Sequence, residues 1–292
     1  MPVRLAVDEP LVRRLVGAQF PQWQDLAIRR VENEGWDNRT FRLGETMSVR
    51  LPSAEPYALA VRKEQQWLPV LAPELPLPIP VPLAQGEPAA DYPHTWSVYS
   101  WLPGRPAERP AVTGLNRFAA ELAEFLLALQ GVATTDGPRP GLHNWYRGGP
   151  LTRYQGEVDR ALAVLDGRVG EGRIRELWQQ ALAAPWDRRE VWFHGDIAVG
   201  NLLVRDGALA AVIDFGTCGV GDPACDLAIA WTFLEPDSRS VFLDTLGVDA
   251  ATIARGRGWA LWKALAGCAG AVRDGDDPDP GVLYTLDQLL PG

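Results

Sequence analysis

The amino-acid sequence predicts an α+β fold of two lobes, with a small antiparallel sheet in the N-terminal lobe and a larger, mostly helical C-terminal lobe. Three observations lead to this prediction. Before residue 60 the chain contains short strand-like runs separated by hairpin-type turns. Beyond residue 113, apolar residues recur mainly with helical spacing. Between these regions the segment Leu102-Pro103-Gly104-Arg105-Pro106 interrupts the pattern, so the predicted lobes are residues 1–102 and 103–292.

The N-terminal lobe is predicted to begin with a helix and continue as a sheet. Residues 8–20 form an amphipathic helical pattern, with Asp8 at the capping position. Strand-like runs follow at residues 27–32, 38–43, 47–51, 81–84 and 96–101. Glycine, aspartate and asparagine occupy the turn near residues 35–38, which favours a hairpin there.

A second helix is predicted over residues 56–71, and its apolar face contains one charged residue. Glu64 falls in the same stripe of the helix as Tyr57, Val61 and Leu68. Because a buried carboxylate is costly unless it is paired, this pattern predicts a cation on the neighbouring sheet.

The C-terminal lobe is predicted to be helical around a few short strands. Helical patterns cover residues 114–129, 151–166, 171–184, 223–234, 239–246, 250–269 and 282–290. Strand-like runs lie at residues 191–193, 202–204 and 209–215.

Composition excludes several classes of protein. With 292 residues and 47% apolar side chains, the chain is neither disordered nor a small disulfide scaffold. A net charge of -9 disfavours a nucleic-acid partner. No stretch reaches the ~18 apolar residues of a membrane span, and the start MPVRLAVDEP lacks the apolar core of a signal peptide. Three cysteines cannot all pair, so we expect a cytoplasmic protein.

The strongest chemical signal is a group of polar residues on two turns in the second half of the chain. His194-Gly195-Asp196 follows one apolar run, Asn201 lies five residues after Asp196, and Asp214 lies 13 residues further on. Amide and carboxylate oxygens suit Mg²⁺, which commonly takes one or two protein oxygens and completes its shell with phosphate and water. The remaining aspartate can orient a hydroxyl nucleophile. This order and spacing reproduce the catalytic and metal loops of kinases, with glycine in place of the arginine of His-Arg-Asp.

On these residues the sequence resembles the aminoglycoside phosphotransferase family, small-molecule kinases with the protein-kinase-like fold. The resemblance runs from about Val31 to Ala269. It also includes Glu34-Gly35-Trp36-Asp37-Asn38-Arg39-Thr40-Phe41, Tyr99-Ser100-Trp101-Leu102-Pro103-Gly104 and Gly221-Asp222-Pro223-Ala224-Cys225-Asp226-Leu227-Ala228. It implies a two-lobed kinase-like fold with ATP or GTP held between the lobes.

The resemblance also implies roles for individual residues. Asp196 is the expected catalytic aspartate, which positions the acceptor hydroxyl and takes its proton, while Asn201 and Asp214 hold Mg²⁺ against the nucleotide phosphates. Adenine recognition is expected at the Ser100 carbonyl and the Leu102 amide. His194 is expected to brace the catalytic loop and Asp226 to anchor it.

Two features depart from the pattern of kinases. Where kinases place a phosphate-binding lysine on the third strand, this chain has Arg50. Arginine can form the ion pair with Glu64, but it is longer and planar, so the pair is either part of the nucleotide site or structural. Lys63 lies roughly 120° from the stripe that holds Glu64, and is a poor substitute. A glycine-rich loop is also missing, since the first hairpin offers only Gly35.

The acceptor is expected to be a small cationic hydroxyl compound. Residues 1–100 carry 10 basic and 12 acidic side chains, whereas residues 101–292 carry 18 and 25, so the acidity lies in the lobe that binds the acceptor in this fold. The candidate acceptor ligands are Glu235, Asp237, Asp274 and Asp277. The alternative is that these carboxylates only solvate loop ends.

Three functions stay open from the sequence. The first is an O-phosphotransferase for an aminoglycoside-type antibiotic. The second is a kinase of a macrolide or of an ordinary metabolite such as a sugar or an amino alcohol. The aromatic residues Trp231, Trp259 and Trp262 would suit a hydrophobic acceptor, and packing in a helical core explains them equally well. The third is a nucleotide-binding module without transfer activity.

Overall fold

A five-stranded antiparallel sheet forms the first part of the computed structural model, which describes residues 5–32, 35, 37–167 and 169–290. Its strands, in spatial order, are β1 (Ile28–Arg30), β2 (Asn38–Leu43), β3 (Met47–Pro52), β5 (Trp96–Ser100) and β4 (Pro82–Gly86). In the centre of the sheet Arg50 lies opposite Thr40 on β2 and Ser97 on β5. The sheet therefore presents Arg50 from its middle strand.

A small apolar core covers one face of this sheet. Helix α1 (Glu9–Gln19) begins at the predicted cap, where the Asp8 carboxylate accepts a hydrogen bond from the Leu11 N–H at 2.9 Å. Val12 and Val16 on α1 are fully buried with Phe41 of β2 and other sheet residues. Such caps and one-sided burial are what the sequence pattern predicted.

Helix α2 (Glu55–Leu71) joins the sheet to the remainder of the chain. Pro56 stands in its first turn, where a missing N–H costs nothing. Leu68 and Leu71 near its end pack into the larger apolar core formed mainly by residues beyond 105. The lobe boundary after Leu102 stays a prediction, because α2 contributes to a core that lies largely on the far side of it.

Helices dominate the second part of the structure. They are α3 (Leu115–Gly131), α4 (Gln155–Leu165), α5 (Glu171–Ala183), α6 (Ile229–Thr232), α7 (Pro236–Leu246), α8 (Ala250–Asp274) and α9 (Pro280–Leu289). The short strands are β6 (Arg105–Pro106), β7 (Val191–Phe193), β8 (Leu202–Arg205), β9 (Ala208–Val212) and β10 (Gly219–Gly221). Strands β6, β8 and β9 form one small antiparallel sheet, and β7 pairs with β10. The predicted α+β order of sheet followed by helices is therefore present.

Two predicted elements differ from the structure. The strand predicted over residues 209–215 ends at Val212, so Asp214 lies in the following turn. The helix predicted over 223–234 is a 3₁₀ turn from Pro223 to Ala228 followed by the four-residue helix α6. Residues 224–228 are completely buried, so tertiary contacts on every side override the helical pattern there.

Two further observations concern the cysteines and the length of the helices. Cys218, Cys225 and Cys268 are all buried free thiols. None of the helices in the described ranges combines the length and the apolar character needed to cross a bilayer.

Candidate active site

The catalytic loop begins where β7 ends, and its conformation requires glycine. Gly195 has a φ of 87°, in the left-handed region that side chains rarely adopt. A Cβ at this position would lie 2.7 Å from the Thr217 carbonyl oxygen. The close approach to Thr217 explains why this chain has glycine where His-Arg-Asp has arginine.

Asp226 fixes the loop through hydrogen bonds to its backbone. Its two carboxylate oxygens accept hydrogen bonds from the His194 N–H at 2.8 Å and the Gly195 N–H at 2.6 Å. Burial raises the pKa of Asp226 to about 7, and the two N–H donors oppose that shift. The prediction that Asp226 anchors the catalytic loop is confirmed by these contacts.

His194 ties the catalytic loop to the loop of Asp214. Its Nδ1 accepts the Asp196 N–H at 3.2 Å, so Nε2 carries the proton and donates to the Ile213 carbonyl oxygen at 3.0 Å. Burial lowers the pKa of His194, which keeps the ring neutral. The ring also packs edge-on against Phe215, with 4.6 Å between centroids. The predicted bracing role is confirmed by this geometry.

Asp196 is held from two directions. Lys263 on α8 donates from Nζ to its Oδ1 at 2.6 Å, and the Asn201 side-chain amide donates to its Oδ2 at 3.0 Å and to its backbone carbonyl at 2.9 Å. Burial alone would raise the pKa of Asp196, but Lys263 and, less strongly, Arg147 lower it to about 2. This carboxylate is therefore ionised and fixed, which suits it to orient a hydroxyl group.

Asp214 lies in a strained backbone position at the opposite loop. Its φ of 66° is uncommon for a residue with a side chain, and such strain concentrates at functional sites. Oδ1 of Asp214 accepts a hydrogen bond from Nη2 of Arg50 at 2.7 Å. The third strand and the turn after β9 thus meet at this ion pair.

The predicted pair between Arg50 and Glu64 is the looser of two contacts that Arg50 makes. Nη1 of Arg50 lies 3.6 Å from Oε1 of Glu64, whereas the Tyr99 hydroxyl donates to Oε2 of Glu64 at 2.7 Å. Burial raises the pKa of Glu64, and Arg50 opposes the rise. Burial would lower the pKa of Arg50, but Asp214 and Glu64 together raise it above its usual range. Arg50 therefore bridges the helix carboxylate and the loop carboxylate.

Lys63 has a role that the sequence did not reveal. Its side chain is buried, and Nζ donates to the carbonyl oxygens of Gly216 at 2.7 Å and Cys218 at 2.9 Å. Burial lowers the pKa of Lys63, while the neighbouring negative groups counteract the shift. The helical wheel predicted that Lys63 would not take the place of Arg50, and the structure agrees. Lys63 instead fixes the loop that follows Asp214.

Two cavities meet at these loops. The first encloses about 540 Å³, and its lining includes five of the predicted ligands, Arg50, Ser100, Leu102, Asn201 and Asp214. The second encloses about 810 Å³ and includes Asp196 in its wall. Because Asn201 lines the first cavity and donates to Asp196 in the second, the two spaces adjoin at that hydrogen bond.

The donor set between the cavities fits a magnesium ion. The Asn201 side-chain nitrogen donates both of its hydrogen bonds to Asp196, and Asn201 and Asp214 both line the first cavity, so their side-chain oxygens are the candidate metal ligands. Two protein oxygens with phosphate and water complete the shell that Mg²⁺ prefers. Within the described residues no cluster of three or more histidine, cysteine or acidic side chains could hold a metal by itself.

The four acidic residues expected to bind the acceptor lie elsewhere. Neither cavity is lined by Glu235, Asp237, Asp274 or Asp277. Glu235 caps the start of α7 and forms an ion pair with Arg109. Asp274 ends α8. The structure thus brings together the nucleotide, metal and catalytic candidates but not these four.

Part of the predicted hairpin at the first cavity is outside the described residues. Glu34 and Trp36 are not described, but Gly35, Asp37, Asn38 and Thr40 line the first cavity. Arg39 donates to the Gly35 carbonyl oxygen at 3.4 Å. The hairpin therefore covers the space where the phosphates are expected.

Lysine usage was the signal that could have located the missed residues. Lys63 and Lys263 are the only lysines among 28 basic residues. One fixes the loop after Asp214, and the other contacts Asp196. In a chain that otherwise uses arginine, both lysines thus place a compact ammonium group at the loops of the candidate site.

Comparison with known proteins identifies the family of this chain. A profile described as the phosphotransferase enzyme family matches residues 28–265. An aminoglycoside 3′-phosphotransferase of Escherichia coli is 27% identical over 165 residues, which are 53% of this chain and 59% of that protein. The chain thus spans less than two thirds of that relative's length.

Solved structures show the same fold at low identity. The GDP and kanamycin complex of APH(2″)-IIIa superposes with a TM-score of 0.73 at 18% identity, covering 95% of this chain and 96% of that one. The macrolide 2′-phosphotransferase MphH of Brachybacterium faecium gives a TM-score of 0.61 at 21% identity, with 96% and 98% covered. The predicted kinase-like fold and family resemblance are confirmed, and the chain belongs to the phosphotransferase enzyme family.

Proposed function

We propose that this protein transfers the γ-phosphoryl group of ATP or GTP to a hydroxyl group of a small molecule. The observation that supports the proposal most is the position of Asp196. Its carboxylate lies in the wall of the second cavity, and Asn201 links it to the first. A nucleotide in one cavity and an acceptor in the other would therefore meet at this aspartate.

The residues around the first cavity account for nucleotide binding. Ser100 and Leu102 lie on the segment after β5, where backbone groups can pair with a purine. Arg50 reaches the cavity between Glu64 and Asp214 and can pair with phosphate oxygens. Bound Mg²⁺ would neutralise phosphate charge, with Asn201 and Asp214 as its protein ligands.

The transfer itself depends mainly on alignment. The acceptor oxygen forms a bond to the γ-phosphorus while the bond from that phosphorus to the bridging oxygen of the β-phosphate breaks, and the hydroxyl proton passes to Asp196. A carboxylate with a pKa near 2 is a weak base. It is nevertheless adequate, because a loose transition state asks for orientation and charge stabilisation more than for proton abstraction.

The test is a transfer assay with a mixed acceptor panel. The protein is incubated with Mg²⁺ and ATP or GTP in the presence of kanamycin, a macrolide, a hexose or an amino alcohol, and each acceptor is examined by mass spectrometry for one added phosphoryl group. Aminoglycosides belong in the panel because the curated relative is an aminoglycoside 3′-phosphotransferase. The panel is then widened to a general set of hydroxyl compounds.

Asp196→Ala serves as the reference variant. We expect it to reduce turnover roughly 10²- to 10⁴-fold, the usual contribution of a positioned acid or base, with little change in nucleotide affinity. The proposal is wrong if the wild-type protein binds nucleotide but phosphorylates no acceptor, and Asp196→Ala binds nucleotide with the same affinity. The protein would then be a nucleotide-binding module.

A further inference from the structure

The second cavity differs in chemistry from the acidic acceptor site expected from the sequence. Its lining includes five aromatic side chains, those of Tyr57, Trp145, Tyr146, Tyr154 and Trp262. Two arginines, Arg147 and Arg153, also line it, together with three carboxylates, a threonine and an alanine. Flat apolar walls of this kind contact ring faces, and guanidinium groups contact anionic oxygens.

Arg147 is fixed in the cavity wall by stacking. Its guanidinium carbon lies 4.4 Å from the ring centroid of Trp262, and Nη1 donates to the Tyr154 hydroxyl at 2.8 Å. Its Nε is enclosed and has no hydrogen-bond partner among the described residues. Because Nε is enclosed, a ligand cannot reach it, whereas Nη2, which is not enclosed and has no acceptor among the described residues, is open to one.

Arg153 is also held by stacking on an aromatic ring of the cavity. Its guanidinium carbon lies 3.8 Å from the centroid of Tyr146. Across the described part of the chain, neither Arg153 nor Arg147 comes within ion-pair distance of a carboxylate. Stacking occupies the faces of both guanidinium groups and leaves their edges, where the N–H donors lie, for other contacts.

The carboxylates of the cavity do not offer a polycation site. Asp196 is already paired with Lys263. One oxygen of Glu157 accepts the Trp262 indole N–H at 2.8 Å. Asp37 lines both cavities and so faces the phosphates as well. A polycationic sugar would also meet the guanidinium groups of Arg147 and Arg153 in the same wall.

We infer that the acceptor is a hydroxyl compound with a flat, largely apolar ring and an anionic oxygen group, and that Arg147 and Arg153 bind this group. The inference rests on the proposed function, because it assigns the second cavity to the acceptor. Its hydroxyl would lie at Asp196, its ring against the aromatic walls, and its carboxylate or phosphate at the arginine edges.

The test measures binding with matched probes, so that it does not depend on turnover. The probes are 4-(hydroxymethyl)benzoate, 4-(hydroxymethyl)phenyl phosphate, 4-(hydroxymethyl)benzamide and 4-(aminomethyl)benzyl alcohol, which share a ring and a hydroxymethyl group and differ mainly in charge. Dissociation constants are measured by calorimetry with Mg²⁺ and a non-hydrolysable ATP analogue present. We expect the better anionic probe to bind at least about tenfold more tightly than the amide, because one hydrogen bond to a charged group contributes about that much. The amine should bind most weakly of the four probes.

Two variants locate the effect and one controls for it. Arg153→Glu, at an exposed position that tolerates substitution, should reduce the affinity for the anionic probes at least about tenfold and remove the discrimination against the amine. Arg147→Gln should also weaken anion binding. Arg205→Glu, at an exposed position at the end of β8 outside both cavities, should leave all four constants unchanged.

Three results would overturn the inference: equal or tighter binding of the amine, no binding of any probe, or an unchanged order of affinities in Arg153→Glu. Phosphorylation of kanamycin without binding of the anionic probes would overturn it too, while leaving the phosphotransferase proposal intact. Absence of nucleotide binding and transfer would instead count against the proposed function.

Discussion

Lys263 and Asp196 form an ion pair of 2.6 Å although 67 residues separate them in the sequence. Helix α8 carries the lysine across the structure to the catalytic loop. Asp196 is thereby held by a cation on one oxygen and by Asn201 on the other. The relationship makes α8, which carries none of the recognised motifs, part of the proposed catalytic arrangement.

Replacing Lys263 should lower the rate of transfer more than nucleotide binding. In Lys263→Met, Asp196 loses the partner that orients Oδ1, and we expect kcat to fall roughly 10- to 10²-fold with little change in the nucleotide KM. Lys263→Arg keeps the charge and should recover part of the rate. Steady-state kinetics with the best acceptor from the panel measures both, and a variant whose only change is a lower melting temperature would assign Lys263 a structural role.

Replacing Asp214 should remove the dependence of nucleotide binding on magnesium. Asp214→Asn keeps the left-handed backbone, which asparagine tolerates, but loses the anionic ligand. Calorimetric titration of ATP with and without Mg²⁺ should therefore give similar dissociation constants for the variant and different ones for the wild type.

A matched control for Asp214→Asn exists in the same region. Asp206 is exposed and also has a positive φ, of 54°, in the turn between β8 and β9. Asp206→Asn should respond to Mg²⁺ as the wild type does. A wild-type response in Asp214→Asn would contradict the assignment of Asp214 as a metal ligand.

Replacing Arg50 tests whether the bridge to Glu64 and Asp214 serves the nucleotide. We expect Arg50→Ala to raise the apparent ATP KM at least about tenfold, because a charge-assisted contact to phosphate is lost. The same change leaves Glu64 buried without its cation, so stability should fall as well.

The double variant Arg50→Ala/Glu64→Gln separates these two effects. The neutral amide removes the unpaired charge, so urea unfolding should show recovered stability while the ATP KM stays high. An ATP KM equal to that of the wild type in both variants would mean that the Arg50 bridge is structural only.

Removing the Asp226 carboxylate should destabilise the fold. Asp226→Ala leaves the His194 and Gly195 N–H groups buried without acceptors, at a cost of about 1–3 kcal/mol for each group. Asp226→Asn keeps one acceptor oxygen and should lose less. Urea unfolding compares the two, and equal stability of Asp226→Ala and the wild type would exclude the anchoring role.

Much of the fold was predictable because its signals are local. Hairpin turns and the spacing of apolar residues predicted the sheet, the inward position of Glu64 and most of the helices, but not the 3₁₀ turn from Pro223 to Ala228. The motif from His194 to Asp214 was predictable for the same reason. Its members lie within 21 residues of one another on two turns joined by a short hairpin, so their proximity in sequence carries over to space.

Only the tertiary structure decided which distant side chains meet. The sequence contains Lys263 and Arg147 but no periodicity or motif that assigns them to Asp196 or to a cavity, because such contacts depend on how whole helices and loops pack. The sequence likewise predicted Glu64 as the partner of Arg50, whereas in the folded chain Arg50 lies 2.7 Å from Asp214 and 3.6 Å from Glu64. The net charge of -9 is a sum over the surface and did not predict a second cavity with two arginines in its wall. Residue types and their local spacing thus determined which functional groups the candidate site contains. Long-range packing determined which charged side chains contact those groups.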